Sequence, residues 1–175
     1  MTVVAKAQMG EVIWAQLDKD ADLYDSILEI CQKENIRSGV VLNIVGGIRK
    51  ARLSMPLKAD GIEAQPGILE LEGMMEVQGI GTIGLTVDSY DTSTKSGIVY
   101  NAGEPNLHIH LTITHQGKSY MGHLLQGCIV RSVHPQSHFT IVMAKTHGAL
   151  LNFRVSEETT STYPDGIPVH DLIQE

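Results

Sequence analysis

The sequence predicts a protein of the α+β class. One segment, residues 18–36, has a convincing helical pattern, with Leu23, Ile27 and Cys31 at helical spacing. From residue 68 onward, runs of strand-forming residues succeed one another and are broken by Gly, Asn and Asp. The regular alternation of strands and helices that marks a doubly wound fold is absent, so the parallel sheet of that fold is not expected.

The first elements are a short strand and the helix. Residues 11–16 are predicted as the strand. The helix comes next over residues 18–36, with Asp20 or Asp22 as its N-cap and Ser38-Gly39 at its end, because short polar side chains favour helix starts and Gly favours helix ends. This helix is the only long one that the pattern supports.

The rest of the chain is predicted to be strands and turns, ending in a polar segment. A nearly continuous apolar strand over 40–45 leads into a turn at Gly46-Gly47 and a second strand through 52–55. Beyond Val155 the chain becomes polar, so we expect a domain over residues 1–155 and a tail or arm over 156–175. Further strands are predicted at 68–76, 80–87, 97–100, 107–114, 119–126, 128–133, 138–144 and 149–155.

Composition places the chain among ordinary globular proteins. It has 175 residues, enough for one domain with a substantial core, and no run of the ~18 apolar residues that a membrane helix needs. Its start has no apolar region or cleavage site typical of a signal peptide, so a cytoplasmic protein is expected. Cys31 and Cys128 lie far apart and indicate neither a disulfide framework nor a thiolate metal site.

The charge balance argues against tight nonspecific binding to nucleic acid. The formal net charge is −7. The one basic cluster, formed by Arg49, Lys50 and Arg52, is short, whereas phosphate binding depends on many clustered Lys and Arg side chains. DNA is therefore a disfavoured partner on charge.

A glycine motif in the middle of the chain matches the residue pattern of a nucleotide-binding motif but not the structural context that this motif requires. Residues 79–84 read G-x-G-x-x-G, but that signature requires a helix directly after it. The residues after Gly84 instead have a strand pattern that runs into a turn near Ser89. Bends or bulges in a curved sheet therefore explain these glycines better.

Three histidines are predicted to converge on one face of a hairpin. Strict alternation over 107–114 indicates a strand in which His108 and His110 leave the same face. Gln116-Gly117 can form a two-residue turn, and that register places His110 opposite His123. Opposite residues have Cβ atoms roughly 5 Å apart, and diagonal ones roughly 7 to 8 Å. The other pairs predicted by this register are His115 with Lys118, Thr114 with Ser119, and Thr112 with Met121.

This convergence predicts a metal site on His108, His110 and His123. Three neutral imidazoles and one open position are typical of catalytic zinc, although imidazole also suits iron, nickel and copper. The alternative is that these are surface or satisfied core histidines. His115 is expected in the hairpin turn, and nothing in the sequence joins His147 or His170 to a site. His134 and His138 are expected on the surface.

The segments 107–111 and 122–130, which carry H-x-H and G-H-L, resemble the plants-and-prokaryotes-conserved (PPC) domain family. The similarity in order and spacing extends over about residues 11 to 155. It implies a mostly antiparallel twisted sheet packed on one main helix, a homotrimer, and zinc on the three histidines. In plants the domain accompanies an AT-hook that binds DNA, but this chain has no R-G-R-P hook. The resemblance thus implies a DNA-binding or regulatory protein, or an assembly module.

The same resemblance implies two further features. If DNA binding is real, Arg49, Lys50 and Arg52 from three subunits would form a composite basic surface. The family also places a glutamate on the strand before the hairpin, and Glu76 is the nearest match, although its spacing to Gly81 is one residue too short.

The hairpin pattern is also similar to that of acetolactate decarboxylase, a zinc lyase. This second resemblance implies a zinc enzyme acting on a small oxygen-bearing metabolite. The open metal position would hold water or a substrate carbonyl or carboxylate, with Glu76 as a candidate proton-transfer group. Arg49 and Arg52 match the lyase only by their place in the chain, and fold alone does not transfer function.

Overall fold

A computed structural model of the chain describes residues 2–59, 64–94, 96–155 and 168–175. It confirms an α+β fold with one helix, α1, among the described residues. No helix in this part of the chain is long and apolar enough to cross a membrane. The elements in chain order are β1 (Gln8–Gln16), α1 (Leu23–Lys33), β2 (Gly39–Ala59), β3 (Ala64–Thr86), β4 (Tyr90–Asp91), β5 (Val99–Tyr100), β6 (Pro105–His115), β7 (Lys118–Leu124), β8 (Ile129–Val130), β9 (Thr140–His147), β10 (Ala149–Val155) and β11 (Pro168–Gln174).

Helix α1 begins at a well-formed cap. Asp22 is the N-cap, and its carboxylate accepts hydrogen bonds from the backbone N–H groups of Tyr24 (2.9 Å) and Asp25 (3.3 Å). The apolar stripe of the helix is buried in the core, as its spacing predicted. The predicted end at Ser38-Gly39 is wrong, because the helix ends at Lys33 and Asn35 takes a positive φ of 52°.

One large sheet contains most of the strands. Its order is β1-β9-β2-β7-β6-β3-β10-β11, with β8 paired to β2, while β4 and β5 form a separate pair. All pairings in the large sheet are antiparallel except that of β10 with β3. Because β2 also pairs with β3, the strands β2, β7, β6 and β3 form a closed cycle in which each strand pairs with two others. This closed arrangement of strands positions the β6–β7 hairpin with one face towards the core.

The predicted turn at Gly46-Gly47 is wrong, because β2 continues through it. Gly46 pairs with Val77 and Gly47 with Glu76 in the antiparallel ladder between β2 and β3. A Cβ at Gly46 would lie 2.7 Å from the ring of Phe139, so the glycine serves close packing and not chain reversal. The predicted strands 68–76 and 80–87 are likewise one strand, β3.

The glycines of residues 79–84 lie within β3, which confirms that they do not form a nucleotide-binding loop. A Cβ at Gly81 would lie 2.4 Å from the carbonyl oxygen of His108, and one at Gly84 would lie 2.0 Å from that of Leu151. These glycines therefore allow the neighbouring strands to approach β3 closely.

The predicted polar tail contains a strand of the main sheet. Residues 156–167 lie outside the described part of the chain. Residues 168–174 form β11, which pairs with β10 over its whole length and places His170 opposite Phe153. This part of the predicted tail is therefore an edge strand of the sheet.

Candidate metal centre

The β6–β7 hairpin has the register that the sequence predicted. Gln116 and Gly117 form its two-residue turn with φ angles of 49° and 77°, the positive values that tight hairpin turns require. His115 pairs with Lys118, and His110 pairs directly with His123. The pairs Thr114 with Ser119 and Thr112 with Met121 are also confirmed.

The two faces of this hairpin differ completely. Ile109, Leu111 and Ile113 are buried on one face, where they join the hydrophobic core. On the same side, a Cβ at Gly122 would lie 2.7 Å from the carbonyl oxygen of Ser54, so β7 packs tightly against β2 at this point. The hydrophobic effect thus fixes the hairpin and presents the histidines on the opposite face.

His108, His110 and His123 form a cluster that could hold a metal ion. One ring nitrogen from each lies within 4.8 Å of the others. The ring centroids are 5.3 Å apart for His108 and His110, 4.9 Å for His108 and His123, and 4.5 Å for His110 and His123. This cluster is the only group of metal-ligating type found among the described residues.

One pair of ring nitrogens has the spacing of two ligands on one ion. His108 Nε2 and His110 Nε2 are 3.3 Å apart. Two imidazoles bound to zinc at about 2.0–2.1 Å with a tetrahedral angle have nitrogens about 3.3–3.4 Å apart. The three imidazole donors and the spacing of this pair therefore fit a tetrahedral metal.

The surroundings favour neutral imidazoles, the form that binds metals. Desolvation, followed by the charges of His123, His170 and His110, lowers the pKa of His108 to about 4. Desolvation and the neighbouring His110 and His170 also lower the pKa of His123. Near neutral pH the rings of His108 and His123 can therefore offer lone pairs to an ion without first losing a proton.

A fourth histidine, His170, lies beside this cluster, which the sequence did not indicate. Its ring centroid is 5.0 Å from that of His108 and 5.6 Å from that of Phe153. Desolvation lowers its pKa as well. Residues 168–174 do not alternate between apolar and polar side chains, and only the pairing of β11 with β10 brings His170 here.

The remaining predicted histidines lie outside the cluster. His115 closes the hairpin turn opposite Lys118. His134 and His138 are exposed between β8 and β9, and His138 Nδ1 lies 3.0 Å from Thr140 Oγ1. These positions agree with the surface and turn roles expected for them.

Two cavities border the histidine cluster. An open groove of about 780 Å³ lies beside His108 and His110, and a small pocket of about 60 Å³ lies beside His108 and His123. Among the described residues that line either cavity there is no Asp, Glu, Lys or Arg. The groove is lined by Val40, Val41, Leu42, Gln78, Gly79, Ile80, Gly81, Thr82, His108, His110, Thr112 and Met121.

The structure does not bring Glu76 to the histidines within the single chain. Glu76 pairs with Thr114, whereas Ile80 is the residue opposite His110. Four residues along a strand span about 13 Å. The geometry of one chain therefore gives Glu76 no direct role at the cluster.

The predicted basic residues lie on β2, and each contacts a carboxylate. Arg49 pairs with Asp20 at 2.8 Å. Lys50 lies 4.0 Å from Glu72, and Arg52 lies 3.1 Å from Glu70. The local positive charge is thus balanced within the chain.

The chain is similar to proteins of one family over most of its length. A sequence model of the Plants and Prokaryotes Conserved (PCC) domain matches residues 4–134. No curated protein matches the sequence significantly.

Several solved structures share the fold. A metal-containing protein from Archaeoglobus fulgidus superposes with a TM-score of 0.67 at 18% identity, covering 90% of this chain and 95% of that chain. A plant- and prokaryote-conserved (PPC) protein from Pyrococcus horikoshii gives 0.68 at 16% identity, with 99% and 100% covered. A protein from Bacteroides thetaiotaomicron, provisionally described as DNA-binding, gives 0.60 at 17% identity, with 96% of each chain covered.

Proposed function

This chain belongs to the Plants and Prokaryotes Conserved domain family, and on that premise we propose that it is a homotrimeric protein that binds a transition metal, zinc, through His108, His110 and His123. The observation that carries the proposal is the convergence of these three imidazoles, whose ring nitrogens lie within 4.8 Å of one another. The relative from Archaeoglobus fulgidus is described as metal-containing, which supports the same function.

The arrangement of the three residues leaves one side of a tetrahedral site to another ligand. Three protein ligands with an open position are the pattern of zinc sites that bind water or a small molecule, and a zinc ion there would act as a Lewis acid. The chain's own part is to hold three imidazoles in place on a hairpin that the core fixes. A small-molecule ligand at the open position is therefore part of the proposal.

The groove beside the cluster supports the homotrimer. Its lining includes Ile80, Met121 and Leu42, which are 59%, 58% and 40% exposed in the single chain. Large exposed apolar patches of this kind mark interaction sites. A second copy of the chain, packed on the groove, would bury these side chains and cover one side of the histidine cluster.

The mass of the purified protein in solution tests the assembly. Light scattering is expected to give a mass near three times the 19.1 kDa of one chain. The Ile80→Asp variant should dissociate, because it places a charge in the apolar groove, whereas Val99→Asp, an exposed apolar position outside the groove, should not. A monomeric wild-type protein would contradict the trimer.

DNA binding finds no support in the basic cluster. The three basic side chains of β2 already contact Asp20, Glu72 and Glu70, and the net charge is −7. Fluorescence anisotropy with duplex DNA at low salt tests this directly. Binding that disappears in the Arg49→Ala, Lys50→Ala, Arg52→Ala triple variant would restore the composite basic surface as an explanation.

Elemental analysis of purified variants tests the metal site. Single changes His108→Ala, His110→Ala and His123→Ala should each reduce bound metal to well below one ion per chain, because each removes one of three ligands. The control changes His115→Ala, His134→Ala and His138→Ala should leave the metal content unchanged. Retention in the first set, or loss in the second, would show that the ligand assignment is wrong.

A further inference from the structure

The small pocket beside the histidine cluster is built from side chains of several elements. It has a volume of about 60 Å³. The helix, the β6–β7 hairpin and the C-terminal strand β11 all contribute to it. Its lining residues are Tyr24, Ile98, Tyr100, Asn106, Leu107, His108, His123, Leu124 and His170.

Four aromatic rings pack in a row beside this pocket. Tyr100 stacks on Phe153 with ring centroids 3.8 Å apart and an interplanar angle of 18°. Phe153 in turn contacts His170, and His170 contacts His108, at 5.6 Å and 5.0 Å between centroids. Because Phe153 is buried and pairs with His170 across the β10–β11 ladder, this packing holds the His170 ring against the cluster.

His170 lies next to the candidate ligands without belonging to them. The nitrogens that fall within 4.8 Å of one another come from the other three histidines alone. Two of those three, His108 and His123, line the pocket together with His170. An ion held by the three imidazoles would therefore border the pocket, and His170 would face the same space.

The side chains that line the pocket indicate which charge a bound molecule should carry. Imidazole, phenol and amide groups supply hydrogen-bond donors, and no Asp, Glu, Lys or Arg is among the described lining residues. A space bordered by a cation and neutral donors favours an anion, whose charge the metal would balance. A cavity needs about 10–15 Å³ of water-accessible space to hold one water molecule, so about 60 Å³ has room for a few waters or for an occupant of a few heavy atoms.

We propose that the pocket between His108, His123 and His170 binds a small oxyanion, of the size of formate or acetate, with His170 as a hydrogen-bond donor to it. This proposal rests on the proposed metal site, because the metal supplies the positive charge. His170 would then set the affinity for the oxyanion without being needed to hold the metal.

Cobalt(II)-substituted protein titrated with sodium acetate tests the proposal by visible absorption. His170→Phe keeps a ring beside Phe153 and His108 but has no N–H, whereas His170→Gln keeps a donor. We expect saturable spectral changes in the wild type, about tenfold weaker acetate binding or worse in His170→Phe, and binding within a few-fold of wild type in His170→Gln. The control His138→Ala should match the wild type, and all four proteins should hold the same amount of cobalt.

Two results would overturn the oxyanion site while leaving the metal site intact. One is wild-type acetate affinity in His170→Phe. The other is loss of cobalt from His170→Phe, because His170 would then be a fourth metal ligand that closes the open position. A wild-type protein that binds no metal would instead remove the proposed function itself, and the oxyanion site with it.

Discussion

The histidine cluster of the β6–β7 hairpin and the basic cluster of β2 both gather side chains that recognise ligands, but they differ in their partners. Arg49, Lys50 and Arg52 each contact a carboxylate of the same chain. Among the described residues, no salt bridge joins the three imidazoles to an acidic group, and His108 and His110 approach each other instead. Basic side chains that are paired with carboxylates are satisfied within the fold, whereas imidazoles that meet other imidazoles and no acidic group in the described part of the chain are available to a ligand from outside.

Added metal should produce the largest difference between the two clusters. Free zinc at 100 times its dissociation constant should raise the free energy of unfolding by about 2.7 kcal/mol, because the ion binds the folded chain. Thermal unfolding with and without a chelator measures this. The gain in stability should vanish in His123→Ala and persist in Arg52→Ala. Equal gains in both variants would show that the histidine cluster does not bind the metal.

A small change behind the histidines should disturb the metal site through packing. Gly122→Ala places a Cβ 2.7 Å from the carbonyl oxygen of Ser54, which should destabilise the protein by about 1–3 kcal/mol and shift His123. Gly47→Ala is the matched control, since its Cβ would meet nothing closer than Ser132 Oγ at 3.5 Å. Denaturant unfolding and zinc titration of both variants check this, and equal behaviour would mean that the packing of β7 on β2 does not position the site.

Replacing the acidic partners should make the basic cluster available to DNA with little loss of stability. The triple variant Asp20→Asn, Glu70→Gln, Glu72→Gln loses only exposed ion pairs, so we expect a change in unfolding free energy below about 1 kcal/mol. Binding to duplex DNA at low salt should increase several-fold over wild type and fall again as salt is added. Anisotropy titrations measure this, and unchanged DNA binding would mean that the carboxylates do not mask the cluster.

Treatment of the folded protein with thiol reagents should modify neither of its two cysteines. Burial raises the pKa of Cys31 to about 12 and that of Cys128 to about 11, so both thiols stay protonated and unreactive near pH 8. The folded protein is expected to resist thiol reagents and to keep its metal during the treatment, whereas denatured protein should react at both positions. If the native chain were modified rapidly and lost its metal, a cysteine thiolate would have to be part of the metal site.

The hairpin could be predicted from the sequence because its geometry is local. A two-residue turn at Gln116-Gly117 fixes which residues face each other, and strict alternation fixes which face they share. The turn predicted at Gly46-Gly47 is wrong because the sequence does not distinguish a glycine that reverses the chain from one that admits Phe139. His170 could not be placed, since its position depends on the pairing of β11 with β10, a long-range contact that no short pattern encodes.

An anomalous difference map, from crystals of the protein purified without added metal and measured on either side of the zinc absorption edge, tests the central claim most directly. The account predicts one zinc peak per chain, about 2.0–2.1 Å from a ring nitrogen of each of His108, His110 and His123. No peak at the three histidines, or a metal bound elsewhere on the chain, would contradict it.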